Sequence, residues 1–486
     1  MKFKTPGQDR TYAAFADHWR ALAPDLGLDE ELTGADGPMG RPLVLRSGHR
    51  IGNRWCVHPM EGWDGTPDGL PSADTLRRWR RFGLSGAKLV WGGEAVAVRA
   101  EGRANPHQLY LEPSVDTTAG LVALREEVLA GHREGGRSTD DLLIGLQLTH
   151  SGRFSRPTAA GPAPRIAYQH PILDARLGLE GAAAEVAMLT DAELEDIQAD
   201  YVDLAKAAQT AGFGFVDVKA CHGYLLHELL GAKTRPGPYG GSFANRTRFL
   251  TDTIAAIRAA CPGLEVGVRV SLGDVVPHRP AHDAEDRHGE PEPWPAGEAY
   301  PYGFGVDEAN PRELDLGEGV QLLELLRDLD VELVNLTLGS PYYNPHLQRP
   351  AAYPPCDGYQ PADDPLGHVA THLRVARAAK AAVPELATVG TGYTYLQEWL
   401  PNVAQHEVGA GHVDFVGLGR MILSYPELPA DMLAGRPMTR KKICRTFSDC
   451  TTAPRRGMRS GCYPLDEHYK TAPERAELEA FKKTIR

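Results

Sequence analysis

The chain has 486 residues, of which 42% are hydrophobic and 24% are charged, and its formal net charge is −12. This composition is ordinary for a globular enzyme with a large core, and the lack of a long basic run argues against binding to nucleic acid. No stretch of about 18 apolar residues predicts a membrane span, and the opening segment MKFKTPGQDR has no apolar region of the kind found in signal peptides.

The seven cysteines predict reduced thiols rather than a secreted disulfide framework. Four are scattered, at positions 56, 221, 261 and 356, whereas Cys444, Cys450 and Cys462 cluster towards the C-terminus. An odd number with this distribution is typical of a cytoplasmic protein. We therefore expect a cytoplasmic location.

Eight short apolar segments, separated by helical patterns, predict strands in chain order. They are NRWCVHP (53–59), AKLVWGG (87–93), LLIGLQL (142–148), FGFVDVK (213–219), LEVGVRV (264–270), VELVNLT (331–337), LATVG (386–390) and HVDFVGLG (412–419). Eight strands that alternate with helices favour an α/β fold of the (β/α)8 TIM barrel type. An open doubly wound sheet is the alternative, but no G-x-G-x-x-G follows the first strand.

The clearest helical segment lies between the third and fourth predicted strands. It opens with Thr190 and Glu193, which form a T-x-x-E capping box, and it ends at Gly212. Proline, glycine and charge dominate residues 272–315, which we interpret as a long loop after the fifth strand. The predicted organisation is a barrel over residues 1–435 and a cysteine-containing extension over residues 436–486.

Functional groups of a TIM barrel lie where its strands end. The last two predicted strands end in VGTGY and GLGR, which contain Gly392, Gly419 and Arg420. Glycines let backbone N–H groups approach a phosphate, and an arginine adds positive charge. These strand ends predict a phosphate site, with two tight turns as the simpler alternative.

Five segments in the same order, each at a strand end, resemble the old yellow enzyme family of flavin oxidoreductases. They are HPMEGWDG, QLTHSGR, HGYLLHELL with YGGSFANRTRF, VGVRVS, and DFVGLGRMILSYPELP. The resemblance covers residues from about 40 to 435 and implies a TIM barrel that binds FMN and uses NAD(P)H. The branch nearest in pattern includes trimethylamine dehydrogenase and 2,4-dienoyl-CoA reductase, but no counterpart of that branch's C-terminal nucleotide-binding domains is present in the sequence.

The resemblance also implies roles for individual residues in cofactor binding. Gln147 faces the pyrimidine edge of the flavin, Arg269 lies near flavin N1 and O2, and Arg420 contacts the phosphate. A cation near N1 and O2 stabilises the negative charge that a reduced flavin carries. The expected cofactor-binding residues are Pro59, Met60, Glu61, Ala95, Gln147, Arg269, Gly392, Gly419 and Arg420.

In the family, two side chains three residues apart hold the substrate oxygen over the flavin, and a tyrosine two residues later protonates the substrate carbon. Carried over by position, these residues are Lys219, His222 and Tyr224. Trp63, Tyr342 and Tyr343 are the further candidates for substrate contact. Tyr342 and Tyr343 could instead simply shape a loop, and Tyr224 could be a core tyrosine with a satisfied hydroxyl group.

Two residues of opposite charge depart from the family pattern. Lys219 replaces the usual neutral histidine, and Glu61 stands where Thr or Cys is more common beside the flavin. A buried ammonium group is unfavourable unless it is paired. We therefore expect Lys219 and Glu61 to interact, and Glu61 is a candidate base towards an amine or alcohol.

The C-terminal cysteines resemble a 4Fe–4S site of the larger family members, with one ligand changed. The segment is C-x2-F-x2-C-x11-C, so Phe447 replaces the second cysteine. Four thiolates normally hold such a cluster. The alternatives are a cluster with fewer cysteines or with Asp449 as a ligand, a zinc ion, or no metal.

Three functions remain open at this point. The first is FMN-dependent reduction of an activated C=C bond of a carbonyl-type substrate by NAD(P)H. The second is oxidation or N-demethylation of an amine or alcohol, with a cluster or an electron-transfer partner as acceptor. The third belongs to another class: a lyase in which Lys219 forms a Schiff base. All three predict a small-molecule substrate, no nucleic acid and no membrane; the sequence leaves open whether a homo-oligomer forms.

Overall fold

The computed structural model describes residues 3–282 and 287–484, and its centre is a barrel of eight parallel strands. In chain order these are β1 (Trp55–Val57), β2 (Leu89–Val90), β3 (Leu143–Thr149), β4 (Phe215–Ala220), β5 (Glu265–Ser271), β6 (Leu333–Thr337), β7 (Ala387–Gly390) and β8 (Phe415–Leu418). β1 pairs with both β8 and β2, and β2 pairs with β3, so the ring is closed. The predicted TIM barrel is confirmed, and each predicted segment contains one strand.

At least one helix follows each strand and covers the outside of the barrel. The helices are α1 (Ala73–Leu84), α2 (Thr117–Glu134), α3 (Asp191–Thr210), α4 (Phe243–Ala260), α5 (Gly317–Asp328), α6 (Pro365–Ala382), α7 (Leu400–Gly409) and α8 (Leu428–Leu433). The predicted capping box opens α3: Glu193 N donates to Thr190 Oγ1 at 3.2 Å, and Thr190 N donates to Glu193 Oε2 at 2.8 Å. Gly212, at φ 84°, turns the chain just after the helix.

Alternation along each strand divides the barrel interior into an apolar and a polar layer. Phe215 at the start of β4 packs against Trp91, with ring centroids 5.2 Å apart, in an inner cluster that also contains Phe415. The next two positions on the same side of β4 are Asp217 and Lys219. Polar groups therefore gather at the carboxyl ends of the strands, above an apolar plug.

A glycine pair allows the chain to continue past β2 towards the barrel mouth. Gly92 has φ 108°, and a Cβ at this position would lie 2.7 Å from Gln147 N. The chain then forms a second short strand, Ala95–Ala97, which pairs with β3. This places Ala95 beside Gln147.

Other elements flank the barrel. Residues 272–316, which follow β5, contain an antiparallel pair of strands, and residues 283–286 of the predicted long loop lie outside the described residues. Within residues 3–282 and 287–484, no helix is both long enough and apolar enough to cross a bilayer. The remaining strands are Leu43–Val44, Arg50–Ile51, His278–Pro280 and Gly289–Pro291, and the remaining α-helices are Tyr12–Leu22, Pro171–Leu177, Ala182–Ala187, Leu225–Leu230, Pro345–Gln348, Arg420–Ser424, Asp449–Arg455, Glu467–Lys470 and Glu474–Thr484.

The C-terminal segment has a small apolar core of its own and is attached to α1 by ion pairs. Tyr463, Tyr469 and Leu478 belong to this core. Arg77 on α1 donates to both carboxylate oxygens of Asp466, at 2.9 and 2.8 Å. These contacts place the segment beside the barrel mouth, while the division into units at residues 435 and 436 stays a prediction.

Candidate active site

A cavity of about 550 Å³ opens at the carboxyl ends of the barrel strands. Its walls come from the ends of β1, β3, β4, β5, β7 and β8, from the loop after β6 and from the C-terminal segment. The predicted flavin-facing residues that line it are Pro59, Met60, Glu61, Ala95, Gln147 and Arg269. The size fits a cofactor together with a small substrate.

The floor of the cavity is a buried polar network around Asp217. Gln147 Nε2 donates to Asp217 Oδ2 at 2.6 Å, and Arg269 N donates to Asp217 Oδ1 at 2.7 Å. Burial raises the pKa of Asp217 to about 6, although these hydrogen bonds favour the ionised form. The network holds Gln147 and Arg269 on either side of β4, because both neighbouring strands pair with β4 in register.

His58, which sequence reasoning did not select, also lines this cavity. Its Nδ1 is 3.1 Å from Asn335 Nδ2, and its Nε2 is 3.1 Å from Thr391 Oγ1. Burial, followed by the charge of Arg269, holds the pKa of His58 well below its ordinary value, so the ring is neutral. A Cβ at Gly417 would lie only 2.0 Å from His58 Cε1, so a glycine is needed there.

Two guanidinium groups lie at the end of the cavity where Gly392 and Gly419 line the wall. Arg420 Nη2 donates to Pro350 O at 2.8 Å, and Arg349 Nη1 donates to Thr451 Oγ1 at 2.9 Å. Burial lowers the pKa of Arg349 to about 9, and the nearby charge of Arg420 adds to this effect. Sequence reasoning missed Arg349, which lies in the irregular chain after β6.

Lys219 and His222, for which the resemblance implies a role in substrate binding, both line the cavity. Lys219 is only 5% exposed, and its Nζ lies 3.9 Å from the centroid of the Tyr224 ring, a cation–π contact. Burial lowers the pKa of Lys219. Burial also lowers the pKa of His222 well below its ordinary value, and the charges of Arg269 and Lys219 act in the same direction.

The position of His222 depends on a left-handed backbone conformation. Its φ is 67°, an uncommon value for a residue with a side chain. Its N–H donates to Ser271 Oγ at 3.1 Å, and its Nε2 lies 3.2 Å from Gln348 Nε2. These contacts hold the neutral imidazole at the cavity wall.

Glu61 contacts Tyr224 directly and influences Lys219 only at longer range. The Tyr224 hydroxyl group donates to Glu61 Oε2, and Asn105 Nδ2 donates to Glu61 Oε1 at 3.3 Å. Among the described ion pairs, none joins Glu61 to Lys219 within 4.0 Å, although the charge of Glu61 favours the protonated lysine. Tyr224 therefore lies between the two departures from the family pattern.

The three aromatic substrate candidates are placed differently. Tyr342 lines the cavity, and its ring stacks on Phe154 with centroids 4.0 Å apart. Trp63 also lines the cavity, and its backbone N–H donates to Ser460 Oγ in the C-terminal segment at 2.8 Å. Tyr343 points away from this cavity, and its hydroxyl group donates to buried Asp274 at 2.6 Å.

The C-terminal cysteines do not provide the ligand set of a four-thiolate cluster. Cys450 and Cys462 line the cavity and Cys444 is buried nearby, but their three sulfur atoms are not all within 4.8 Å of one another, the spacing of a single-ion site. Phe447 packs against Tyr353, with ring centroids 5.6 Å apart. The alternative ligand Asp449 forms an ion pair with Lys482.

Comparisons with known proteins agree with this geometry. The model of the NADH:flavin oxidoreductase / NADH oxidase family matches residues 41–285. An NADPH dehydrogenase of Bacillus velezensis is 31% identical over 221 residues, which is 45% of this chain and 58% of that protein. The chain thus matches less than two thirds of the length of this relative.

Two solved structures share the fold. An old yellow enzyme homologue from Zymomonas mobilis superposes with a TM-score of 0.55 and 19% identity, covering 83% of this chain and 94% of that chain. A 2-naphthoyl-CoA reductase in complex with 2-naphthoyl-CoA gives a TM-score of 0.60 and 18% identity, covering 91% and 58%. At sequence identities of 18% and 19%, these structures show that the fold is shared.

The donors around the cavity fit FMN. Arg269 Nε, Arg349 Nη2 and Arg420 Nη1 are buried and have no hydrogen-bond partner within the described part of the chain. A Cβ at Gly419 would meet only open space, so the backbone there is accessible to a ligand. A phosphate dianion would satisfy Arg349 and Arg420, and the pyrimidine edge of a flavin would satisfy Arg269.

Proposed function

The chain belongs to the NADH:flavin oxidoreductase / NADH oxidase family, and on this premise we propose that it is an FMN-dependent oxidoreductase that reduces an activated C=C bond with NAD(P)H. The observation that carries the proposal is the convergence of both residue sets on one cavity. Gln147 and Arg269, predicted to hold the flavin, lie beside Lys219, His222 and Tyr224, predicted to act on the substrate.

The cofactor would be held at both ends by residues of this chain. Gln147 both donates and accepts hydrogen bonds, as the pyrimidine edge requires. Arg269 supplies positive charge at the same edge, and Arg349 and Arg420 hold the phosphate. When bound, FMN supplies hydride transfer from NAD(P)H to the substrate.

Lys219 and His222 act on the carbonyl group of the substrate. Each can donate a hydrogen bond to the carbonyl oxygen, and the positive charge of Lys219 stabilises the enolate oxygen that develops during reduction. Tyr224 can then give a proton to the carbon next to the carbonyl group. Compared with a neutral histidine at this position, Lys219 favours substrates whose oxygen carries much negative charge.

A second candidate is dehydrogenation of an alcohol or amine. The hydrogen bond from the Tyr224 hydroxyl group to Glu61 favours it, because an ionised carboxylate is a proton acceptor. Schiff-base chemistry is the third candidate, since burial lowers the pKa of Lys219 and a neutral amine is the nucleophile that such chemistry needs. Trapping with borohydride distinguishes this candidate from the other two.

We also propose a cytoplasmic location, because all seven cysteines are free thiols. The altered ligand set gives no reason to pass electrons through a cluster, so NAD(P)H is the proposed donor. An external electron carrier is required only for the dehydrogenase alternative. A homo-oligomer remains compatible with all of these proposals.

Anaerobic mixing tests the proposed function. The purified protein should absorb near about 450 nm, lose that absorbance with NADH or NADPH, and regain it with 2-cyclohexen-1-one. Reduction by a tertiary amine or an alcohol instead, without a response to NAD(P)H, would support the dehydrogenase. A folded, colourless protein that does not bind added FMN would defeat both flavin proposals.

A further inference from the structure

A chain of hydrogen bonds joins Tyr224 to the partly exposed rim of the cavity. The Tyr224 hydroxyl group donates to Glu61 Oε2 and lies 2.8 Å from the Tyr342 hydroxyl group. Asn105 Nδ2 donates to Glu61 Oε1 at 3.3 Å and to Gly62 O at 3.2 Å, so it fixes the carboxylate. The Tyr224 oxygen thus has one ionisable and one phenolic partner.

Solvent exposure increases from Tyr224 to its two hydrogen-bond partners. Tyr224 is only 3% exposed. Glu61 and Tyr342 are both half-buried. A proton lost from Tyr224 can therefore be replaced through either neighbour.

We propose that Glu61 is the proton-exchange partner of Tyr224, with Tyr342 as an auxiliary donor, so that these residues connect the substrate carbon to solvent. This inference rests on the proposed reductase function. It assigns to Glu61 a catalytic task that explains a carboxylate at a position where the family more often has Thr or Cys. A hydroxyl or thiol side chain would not exchange protons with water as readily at neutral pH.

FMN held by Gln147, Arg269, Arg349 and Arg420 would supply a hydride to one carbon of the C=C bond, with NAD(P)H as the source of both electrons, and the other carbon takes the proton of the Tyr224 hydroxyl group. The resulting phenolate lies against the Glu61 carboxylate, and the repulsion of two negative charges drives uptake of one proton from water. That proton passes from Glu61 to the Tyr224 oxygen and restores both groups.

Two other contacts favour a transient phenolate at Tyr224. Lys219 Nζ lies 3.9 Å from the centroid of its ring and stabilises negative charge on it. The Tyr342 hydroxyl group is close enough to donate to a phenolate oxygen. A purely structural link between Glu61 and the loop after β6 would need neither of these features.

The test measures reduction by NAD(P)H and reoxidation by 2-cyclohexen-1-one separately. It compares wild type with Glu61→Gln and Tyr342→Phe, and with the control Glu195→Gln, which replaces an exposed glutamate on the surface of α3. We expect Glu61→Gln, once it is loaded with FMN and reduced, to be reoxidised by 2-cyclohexen-1-one about 10- to 100-fold more slowly than wild type, whereas Glu195→Gln should match wild type in both half-reactions. Formate or acetate should partly restore Glu61→Ala, because a small acid can replace a missing proton donor but not a structural link.

Two results distinguish failure of the Glu61 relay from failure of the proposed reductase function. Equal reoxidation of Glu61→Gln and wild type would overturn the relay and leave the reductase intact. Failure of the wild type to reduce the enone would count against the reductase. In that case the ultraviolet titration of Tyr224, measured as the difference from Tyr224→Phe, tests the contact on which the relay is built: Glu61→Gln should shift the tyrosine ionisation to lower pH, and an unchanged titration would contradict the relay.

Discussion

Replacement of Arg349 by methionine should affect the apoprotein and the FMN complex in opposite directions. In the protein alone, Arg349 and Arg420 are half-buried, and one buried nitrogen of each, Arg349 Nη2 and Arg420 Nη1, has no hydrogen-bond partner within residues 3–282 and 287–484. Methionine retains most of the side-chain volume and removes one charge. It also removes the single hydrogen bond to Thr451 Oγ1.

The expected magnitudes follow from these contacts. Replacing a buried, poorly compensated charge by an apolar side chain of similar size often stabilises a protein by about 1–4 kcal/mol. The lost hydrogen bond to Thr451 offsets about 1 kcal/mol of this gain. A charge-assisted hydrogen bond to phosphate contributes about 1.5–3 kcal/mol, so FMN should bind about 10- to 150-fold more weakly.

Two measurements check this pair of effects. Thermal unfolding of the apoprotein should show a higher midpoint for Arg349→Met than for wild type, and quenching of flavin fluorescence should show weaker binding. Arg327→Met, which alters an exposed ion pair with Asp328, is the matched control. Unchanged FMN affinity in Arg349→Met, or a lower midpoint of its apoprotein, would refute the assignment of Arg349 to the phosphate.

The remaining predictions concern the flavin edge, the substrate side and the cysteines. Arg269→Ala should lose FMN or slow its reduction by NAD(P)H by at least about 100-fold, whereas normal loading and reduction would contradict the assignment; absorbance and stopped-flow kinetics measure both. Lys219→His should lower kcat/KM for 2-cyclohexen-1-one, because it removes the positive charge that stabilises the developing enolate oxygen, and steady-state assays with no loss would remove that role from Lys219. Phe447→Cys should increase the iron content after anaerobic reconstitution relative to wild type, measured by colorimetric iron analysis, and equal content would show that this position is not the missing ligand.

The barrel could be predicted because its pattern is local. Each strand is a short apolar segment between helical patterns, and strand alternation places Asp217 and Lys219 on the inner side of β4 without further information. The same logic places Gln147 and Arg269 beside them once the strands are parallel and in register. These parts of the site follow from rules that act within single elements or between neighbouring strands.

The parts that could not be predicted depend on irregular chain. Arg349 follows a four-residue helix after β6, and no motif marks a side chain there as facing the cavity. Tyr342 and Tyr343 are adjacent in sequence, yet one lines the cavity and the other binds Asp274. Outside a strand, no fixed period relates neighbouring side chains, so only the folded loop determines which of them faces the ligand.

The C-terminal segment has a role in the site that does not depend on a cluster. Thr451 accepts a hydrogen bond from Arg349, Ser460 holds the backbone of Trp63, and Asp466 binds Arg77. The first of these contacts holds Arg349, which we assign to the phosphate, and the second holds the backbone of Trp63 at the cavity wall. Because exclusion of water strengthens electrostatic interactions inside a cavity, a wall of this kind would favour flavin chemistry whether or not it holds iron. Loss of one thiolate at Phe447 is therefore compatible with retention of the whole segment, since its polar contacts to the barrel involve residues other than the cysteines.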